Sequence, residues 1–380
     1  MLRRFETFVT EIIDGKRQGT LASCVKAALS PPSWAFRLAS DVRKTAYDSG
    51  WLSQFRATVP VVSIGNIVAG GTGKTPVVLQ LAKDLLGEVS LGILSRGYRS
   101  QAEKRTIPTV VSHGQSHVQA QGQNFHGSSP QFSPALCGDE ACLLARNLPT
   151  AIVVAGRDRR ALAEVAINHG ARLLLLDDGM QHRQLARDVE IVVVDAQDPF
   201  GRGYFLPRGY LRESPSALRR ADLVVLHHSD LCADPVAVEA SLRAYTAAPI
   251  VWTRIKPSAK IRDYEGNVTG SLEGMKVGAF CGVAKPSRFL EMLKSLGAEV
   301  VGQLITADHE GVSSQRLEQF SRECREKGAQ QLVCTEKDYV KLSHEDAVSL
   351  GIGWVPISIE ILREAEQWHE LCRRIKQTVP

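Results

Sequence analysis

Val59-Pro-Val-Val-Ser-Ile64, then Val68-Ala-Gly-Gly-Thr-Gly-Lys-Thr75, then the run from Pro76 to Leu86 decide the fold. The first piece is a short apolar, β-branched run of the kind buried in a parallel sheet. The last has helical spacing, and the middle is a glycine-rich turn. Strand, phosphate-binding loop and helix therefore follow one another. The strict P-loop pattern places glycine six residues before the lysine, where this chain has Val68, so the match is to a variant, GGTGKT. Its chemistry survives the change. Small residues at Gly70, Gly71, Thr72 and Gly73 let backbone N–H groups turn onto phosphate oxygens, and the helix N-terminus adds partial positive charge. Lys74 is positioned for the β and γ oxygens of a nucleoside triphosphate, and the Thr75 hydroxyl for Mg²⁺.

Outward from the loop, further apolar runs at 90–94, 151–155, 172–176, 190–194 and 223–226 alternate with helical stretches. They predict an α/β fold of the P-loop NTPase type with a doubly wound, mostly parallel sheet. Leu173-Leu-Leu-Leu-Asp-Asp178 delivers Asp177 and Asp178 to the carboxyl edge of that sheet, where a P-loop enzyme needs acidic groups around its hydrated metal. A core unit over 56–255 is expected, with residues 100–135, rich in Gln, Ser, His, Gly and Pro, as an exposed polar insertion. Strand-like runs at 276–281, 299–303 and 331–335 predict a second, smaller α/β unit over 256–380.

Residues 1–55 open on Leu2, Phe5, Phe8, Val9, Ile12 and Ile13, an apolar helical face accompanied by Arg3, Arg4, Lys16 and Arg17. The pattern alone fits equally a helix lying in a membrane interface and one packed on its own core.

Composition narrows the classes. With 380 residues, 44% of them hydrophobic, the chain has ample material for packed cores. A net charge of +5 with local basic clusters favours discrete anion contacts over nucleic-acid binding. Eight scattered cysteines without a C-x-x-C pair give neither a zinc site nor a disulfide framework, and no apolar run is long enough to span a bilayer. Guanine recognition wants N/T-K-x-D, and Thr335-Glu-Lys-Asp338 has lysine and aspartate adjacent, so ATP is the expected nucleotide.

In order along the chain, Ser63-Ile-Gly-Asn-Ile-Val-Ala-Gly-Gly-Thr-Gly-Lys-Thr-Pro76, Ser95-Arg-Gly-Tyr98, Gly138-Asp-Glu140, Asp177-Asp-Gly-Met-Gln-His182, Asp195, Pro199-Phe-Gly201, Leu206-Pro207, Leu211-Arg-Glu213, Asp308-His309 and Thr335-Glu-Lys-Asp338 resemble the tetraacyldisaccharide 4′-kinases. The chain departs from that pattern at Met180, Arg202, Arg208 and Tyr210, where the family has phenylalanine, asparagine, a small residue and proline. The stretch between Tyr98 and Gly138 is also longer than expected.

The resemblance implies transfer of the γ-phosphoryl group of ATP to the 4′-hydroxyl of a lipid A disaccharide 1-phosphate. It further implies peripheral attachment at the cytoplasmic face of the inner membrane through the N-terminal helix. Asp139 is then the expected base with His309 as its partner. Asp177, Asp178 and Glu213 are expected with Thr75 around Mg²⁺. Gln181, His182 and Arg212 are expected near acceptor or phosphate. Two other readings stand beside it: a P-loop ATPase of the partitioning or metal-insertion kind, used as a nucleotide switch, and a membrane scaffold whose nucleotide is structural.

Overall fold

The computed structural model describes residues 2–114, 133–308 and 310–379. Eight strands form in the first two thirds of the chain: β1 (Val61–Gly65), β2 (Leu91–Ser95), β3 (Thr109–His113), β4 (Ile152–Ala155), β5 (Leu173–Asp177), β6 (Val189–Asp195), β7 (Leu223–His227) and β8 (Ile250–Pro257). A second group follows: β9 (Lys260–Arg262), β10 (Val268–Ser271), β11 (Lys276–Cys281), β12 (Glu299–Ile305), β13 (Gln331–Thr335) and β14 (Ile352–Val355), and then β15 (Ile357–Arg363).

The large sheet has nine strands in the order β15-β8-β7-β6-β1-β5-β2-β4-β3. From β4 to β8 in that order every neighbour is parallel, and β3 and β15 close the two edges in antiparallel pairing. Both faces are covered, which the side-chain alternation of a strand makes visible. Leu173 and Leu175 enter one apolar cluster with Val77, Val78 and Leu81 of the Lys74–Leu85 helix, whereas Leu174 and Leu176 enter another with Leu162 and Ala166 of the Arg159–Asn168 helix. This is the doubly wound architecture read from the sequence. Strand β1 lies between β5 and β6, at the point where the chain switches from building one side of the sheet to the other, and its carboxyl end carries the glycine loop.

The smaller sheet runs β10-β9-β14-β13-β11-β12, with a parallel centre and antiparallel β9 and β10 at one edge. Its extent differs from expectation. The chain leaves this unit after β14, and β15 and the Ala365–Thr378 helix rejoin the large sheet, so residues 357–378 belong with the core rather than with the second unit. The reason is apolar: Trp368, Leu371, Cys372 and Ile375 are buried against the cluster that holds Leu85 and Val251, and the Trp368 indole donates to Asp84 at 2.8 Å. Each large side chain buried this way contributes about 1.5–3 kcal/mol.

The expected 100–135 loop is partly structured: Gln101–Lys104 is a short helix and β3 is an edge strand on β4. Residues 115–132 of it lie outside the described residues. The N-terminal segment forms three helices, Leu2–Ile13, Thr20–Ala28 and Ser30–Asp48. Ile12 is fully buried, and Asp14 just beyond that helix accepts from the Tyr210 hydroxyl at 2.9 Å, so the first helix is docked on the core at its C-terminal end.

Candidate active site

The glycine loop is shaped by two left-handed residues, Gly70 (φ 104°) and Gly73 (φ 83°). Gly73 starts the Lys74–Leu85 helix with no side-chain cap, which leaves the first-turn N–H groups to an anion. Asn66 Nδ2 donates to Thr72 Oγ1 at 2.9 Å and fixes the loop from beneath. The buried His227 ring, at the end of β7, occupies the space a Cβ on Gly73 would need, while its Nδ1 pairs with Thr253 Oγ1 at 2.8 Å. Gly73→Ala therefore combines a left-handed backbone, worth about 1–2 kcal/mol, with a clash. A lower melting temperature and loss of nucleotide binding are expected, and calorimetry with ATP titration checks both.

At the end of β5, Asp177 is buried and Asp178 turns out at φ 52° into the cleft. Lys74 Nζ is 3.4 Å from Asp178 Oδ1, and the Arg212 guanidinium lies 3.1 Å from both carboxylate oxygens. Burial alone would raise the Asp178 pKa, but Lys74 and Arg212 outweigh it and hold the group well below the usual range. For Asp177 the balance is opposite. Burial, then the negative charges of Glu140 and Asp178, push it up to about 8 against the pull of Lys74 and Arg159. A carboxylate in that surrounding is relieved by a divalent cation. Among the described residues no group of three or more His, Cys, Asp or Glu side chains forms a metal cage.

Glu213, expected around the metal, accepts from Gln181 Nε2 at 3.0 Å and from Arg220 at 2.8 Å, one on each oxygen. Gln181 also donates to the Asn66 carbonyl at 2.8 Å, which ties the residue after the acidic pair to the strand before the loop. His182 is neutral at physiological pH: burial first, then Arg159, push its imidazole down to about 3.

Gly138 (φ 90°) sits where a Cβ would press on the backbone of Gly97 and Tyr98, and this close contact joins the Ser95-Arg-Gly-Tyr98 and Gly138-Asp-Glu140 motifs. It introduces the Asp139–Asn147 helix, which puts Asp139 and Glu140 in its first turn. Asp139 is buried, with Oδ2 3.6 Å from Lys341 Nζ, and Lys341 is held more closely by Asp338 Oδ1 at 2.9 Å. The expected partner, His309, lies outside the described residues. Its neighbour Asp308 accepts from Lys337 Nζ at 3.0 Å.

A cleft of about 1080 Å³ joins these parts, lined on one side by Gly70 to Thr75, Asp177, Asp178 and Glu140 and on the other by Lys285, Arg288, Asp308 and Lys337. Across it Asp195 at the end of β6 pairs with Lys285 Nζ at 2.7 Å and Arg288 at 3.0 Å, a link between the two units. Glu140, Lys341 and the Asp195 cluster were not assigned roles from sequence. Glu140, Asp195 and Asp338 lay inside the quoted motifs. Lys341 carried no signal, because its role is created by the third-residue spacing from Asp338 and by the packing of the two units.

A family model described as tetraacyldisaccharide-1-P 4′-kinase (LpxK) matches residues 25–376. The chain belongs to the tetraacyldisaccharide 4′-kinase family. Similar members are the tetraacyldisaccharide 4′-kinases of Anaeromyxobacter dehalogenans strain 2CP-C, 40% identical over 92% of this chain and 91% of its own length, and of Chlamydia caviae, 34% identical over 91% and 89%. Among solved structures, LpxK from Aquifex aeolicus, crystallised in complex with ATP, aligns with a TM-score of 0.71 at 27% identity, covering 94% of this chain and all of that one. In this tetraacyldisaccharide 4′-kinase most of the quoted motifs contribute residues to one cleft, and the nucleotide-switch reading is set aside.

Proposed function

We propose that the chain transfers the γ-phosphoryl group of ATP to the 4′-hydroxyl of a tetraacyldisaccharide 1-phosphate, the lipid A precursor, giving lipid IVA and ADP. The observation that carries the reading is the meeting of Lys74, Asp178 and Arg212 at the mouth of the phosphate loop, with Asp177 electrostatically tied to both Lys74 and Glu140. Gly70 to Thr75 hold the triphosphate, and Lys74 and Arg212 meet the charge of the transferred group. Asp139 accepts the acceptor's proton as the hydroxyl oxygen attacks, with His309 orienting it. Gln181 and His182, the third and fourth residues after Asp178, are assigned to positioning the sugar. Thr75 and Asp177 fit Mg²⁺, with Asp178 beside them, and that ion would neutralise phosphate charge as the bond to ADP breaks. The test is incubation with γ-labelled ATP and the disaccharide 1-phosphate: label on the lipid is expected. Acceptor-independent hydrolysis with no labelled lipid would instead restore the switch reading.

The membrane reading gains support from a different helix than the one expected. No helix among the described residues is long and apolar enough to cross a bilayer. On Ser30–Asp48, however, Trp34, Leu38 and Val42 recur every fourth residue and are 66%, 65% and 60% exposed, with Trp51 nearby in sequence at 87%. The same helix bonds inward, Ser33 Oγ to the Phe205 carbonyl at 2.7 Å and Ser40 Oγ to the Arg212 carbonyl at 3.2 Å. Its apolar stripe thus lies about one helix diameter, roughly 10 Å, from the backbone that carries Arg212. An interfacial helix there presents a bilayer-held sugar to the cleft, with the inner membrane's cytoplasmic face as its surface. Trp34→Ser with Leu38→Ser is expected to lower sedimentation with phosphatidylglycerol vesicles at least about tenfold while sparing activity on detergent-dispersed acceptor. Undiminished sedimentation assigns attachment elsewhere.

A further inference from the structure

The Asp139–Asn147 helix packs into the first unit through Leu144 and Ala145, yet both of its ends are held by the second unit. At the N-terminal end the hold is the Lys341–Asp139 approach of 3.6 Å, with Lys341 itself anchored on Asp338. At the C-terminal end the Arg146 guanidinium carbon lies 5.3 Å from the ring centroids of Tyr264 and Tyr339 and 5.6 Å from that of Trp354. Its Nη2 donates to the Tyr264 carbonyl at 2.5 Å, and beside it Asn147 Nδ2 donates to Glu336 Oε1 at 2.6 Å. Three aromatic rings within cation–π range hold one planar cation, and a guanidinium serves there better than an ammonium because it stacks and hydrogen-bonds at once.

We propose that Arg146 is a positioning residue for phosphoryl transfer: its seat in the Tyr264–Tyr339–Trp354 cage ties the second unit to the rigid helix whose first turn carries Asp139 and Glu140. From Asp139 to Arg146 the helix spans seven residues, about 10 Å at 1.5 Å per residue, so a shift of the cage is passed along a stiff rod to the carboxylate. The second unit also supplies Lys285, Arg288 and Lys337 to the opposite wall of the cleft. Arg146 thus sets the base and the far wall in one register. The proposal rests on Asp139 as the base.

The test is steady-state kinetics of the full chain, with melting temperatures, for Arg146→Met, Asp139→Ala and the double variant. Arg146→Met is expected to lower kcat about 10- to 100-fold, the scale of a catalytic group displaced by about 1 Å, with KM for ATP within about twofold. In the Asp139→Ala background the same change is expected to cost less than about threefold, because the group it positions is gone. A residue that only glues the units together would shift KM for ATP and cost the same factor in both backgrounds, which overturns the proposal, as does unchanged kcat in Arg146→Met. Full kcat in Asp139→Ala instead fails the base assignment, and the route through it, whatever Arg146→Met does. Should the methionine variant not fold, Arg146→Lys keeps charge and stem but loses the planar contact. It is expected to show the same pattern at smaller amplitude, and wild-type kcat there is equally fatal.

Discussion

Lys74→Ala is expected to lower kcat by about 10³-fold or more while the protein remains folded. The size follows from where the charge sits. Lys74 is the first residue of the helix that follows Gly73, and its ammonium stands 3.4 Å from Asp178 at the point where the loop opens into the cleft. Phosphoryl transfer asks little covalent chemistry of the protein, so a preorganised cation at the β and γ oxygens supplies a large part of the stabilisation, and losing one such contact costs about 10²–10³ on its own. Losing it from a loop that also has to align the nucleotide costs more. The folded state tolerates the change because Asp178 keeps both contacts to Arg212 and is not left as an uncompensated buried charge. A melting temperature within a few degrees of wild type, retained weak ATP binding and no label on the lipid acceptor make up the expected result. Transfer within tenfold of wild type in folded Lys74→Ala would mean that the loop is not the phosphate site.

The core of the fold was legible because its signals are local. Val61 to Gly65, the glycine loop and the four leucines of Leu173 to Leu176 each carry their own reading, since a central parallel strand buried on both faces must be apolar throughout. The residues 357–378 were misplaced because amphipathic elements such as β15 and its helix do not say which sheet they cover; only the fit of Trp368 and Ile375 to the large core decides it. β3 was hidden for a related reason. Thr109-Val-Val111 is an edge strand only three or four residues from a polar, low-complexity run, and the composition of the run dominated the reading. At the site, Gly70 to Thr75, Asp177 and Asp178 sit in motifs, and the fold brings them together along one cleft. For Glu213, a sequence shows that a carboxylate is present and not that Gln181 and Arg220 donate to its two oxygens. Arg146 and Lys341 act across the seam between units, and no pattern within one unit encodes a partner in the other.

Asp139→Asn and Asp139→Ala are both expected to lower kcat about 10²- to 10⁴-fold, the range for loss of a positioned general base, with KM for ATP little changed. The pair of variants separates catalysis from helix capping. Asp139 opens its helix at the first position, where any acidic residue is favoured by the macrodipole. If that were its whole task, asparagine would cost stability by a few tenths to 1 kcal/mol and leave kcat intact. A base, by contrast, must accept a proton, which an amide cannot do. Lys341 is closer to Asp338, at 2.9 Å against 3.6 Å for Asp139, and Thr335 Oγ1 donates to the other Asp338 oxygen at 2.6 Å, which anchors that competitor in place. Lys341 is thus held chiefly by Asp338, and Asp139 is the group proposed to receive the proton of a hydroxyl attacking at the loop. His309→Ala, removing the proposed orienting partner next to Asp308, is expected to cost less, about 10- to 100-fold, and to add little in the Asp139→Ala background. Unchanged kcat in both single variants would assign proton removal to the solvent and reduce the Gly138-Asp139 segment to a helix start.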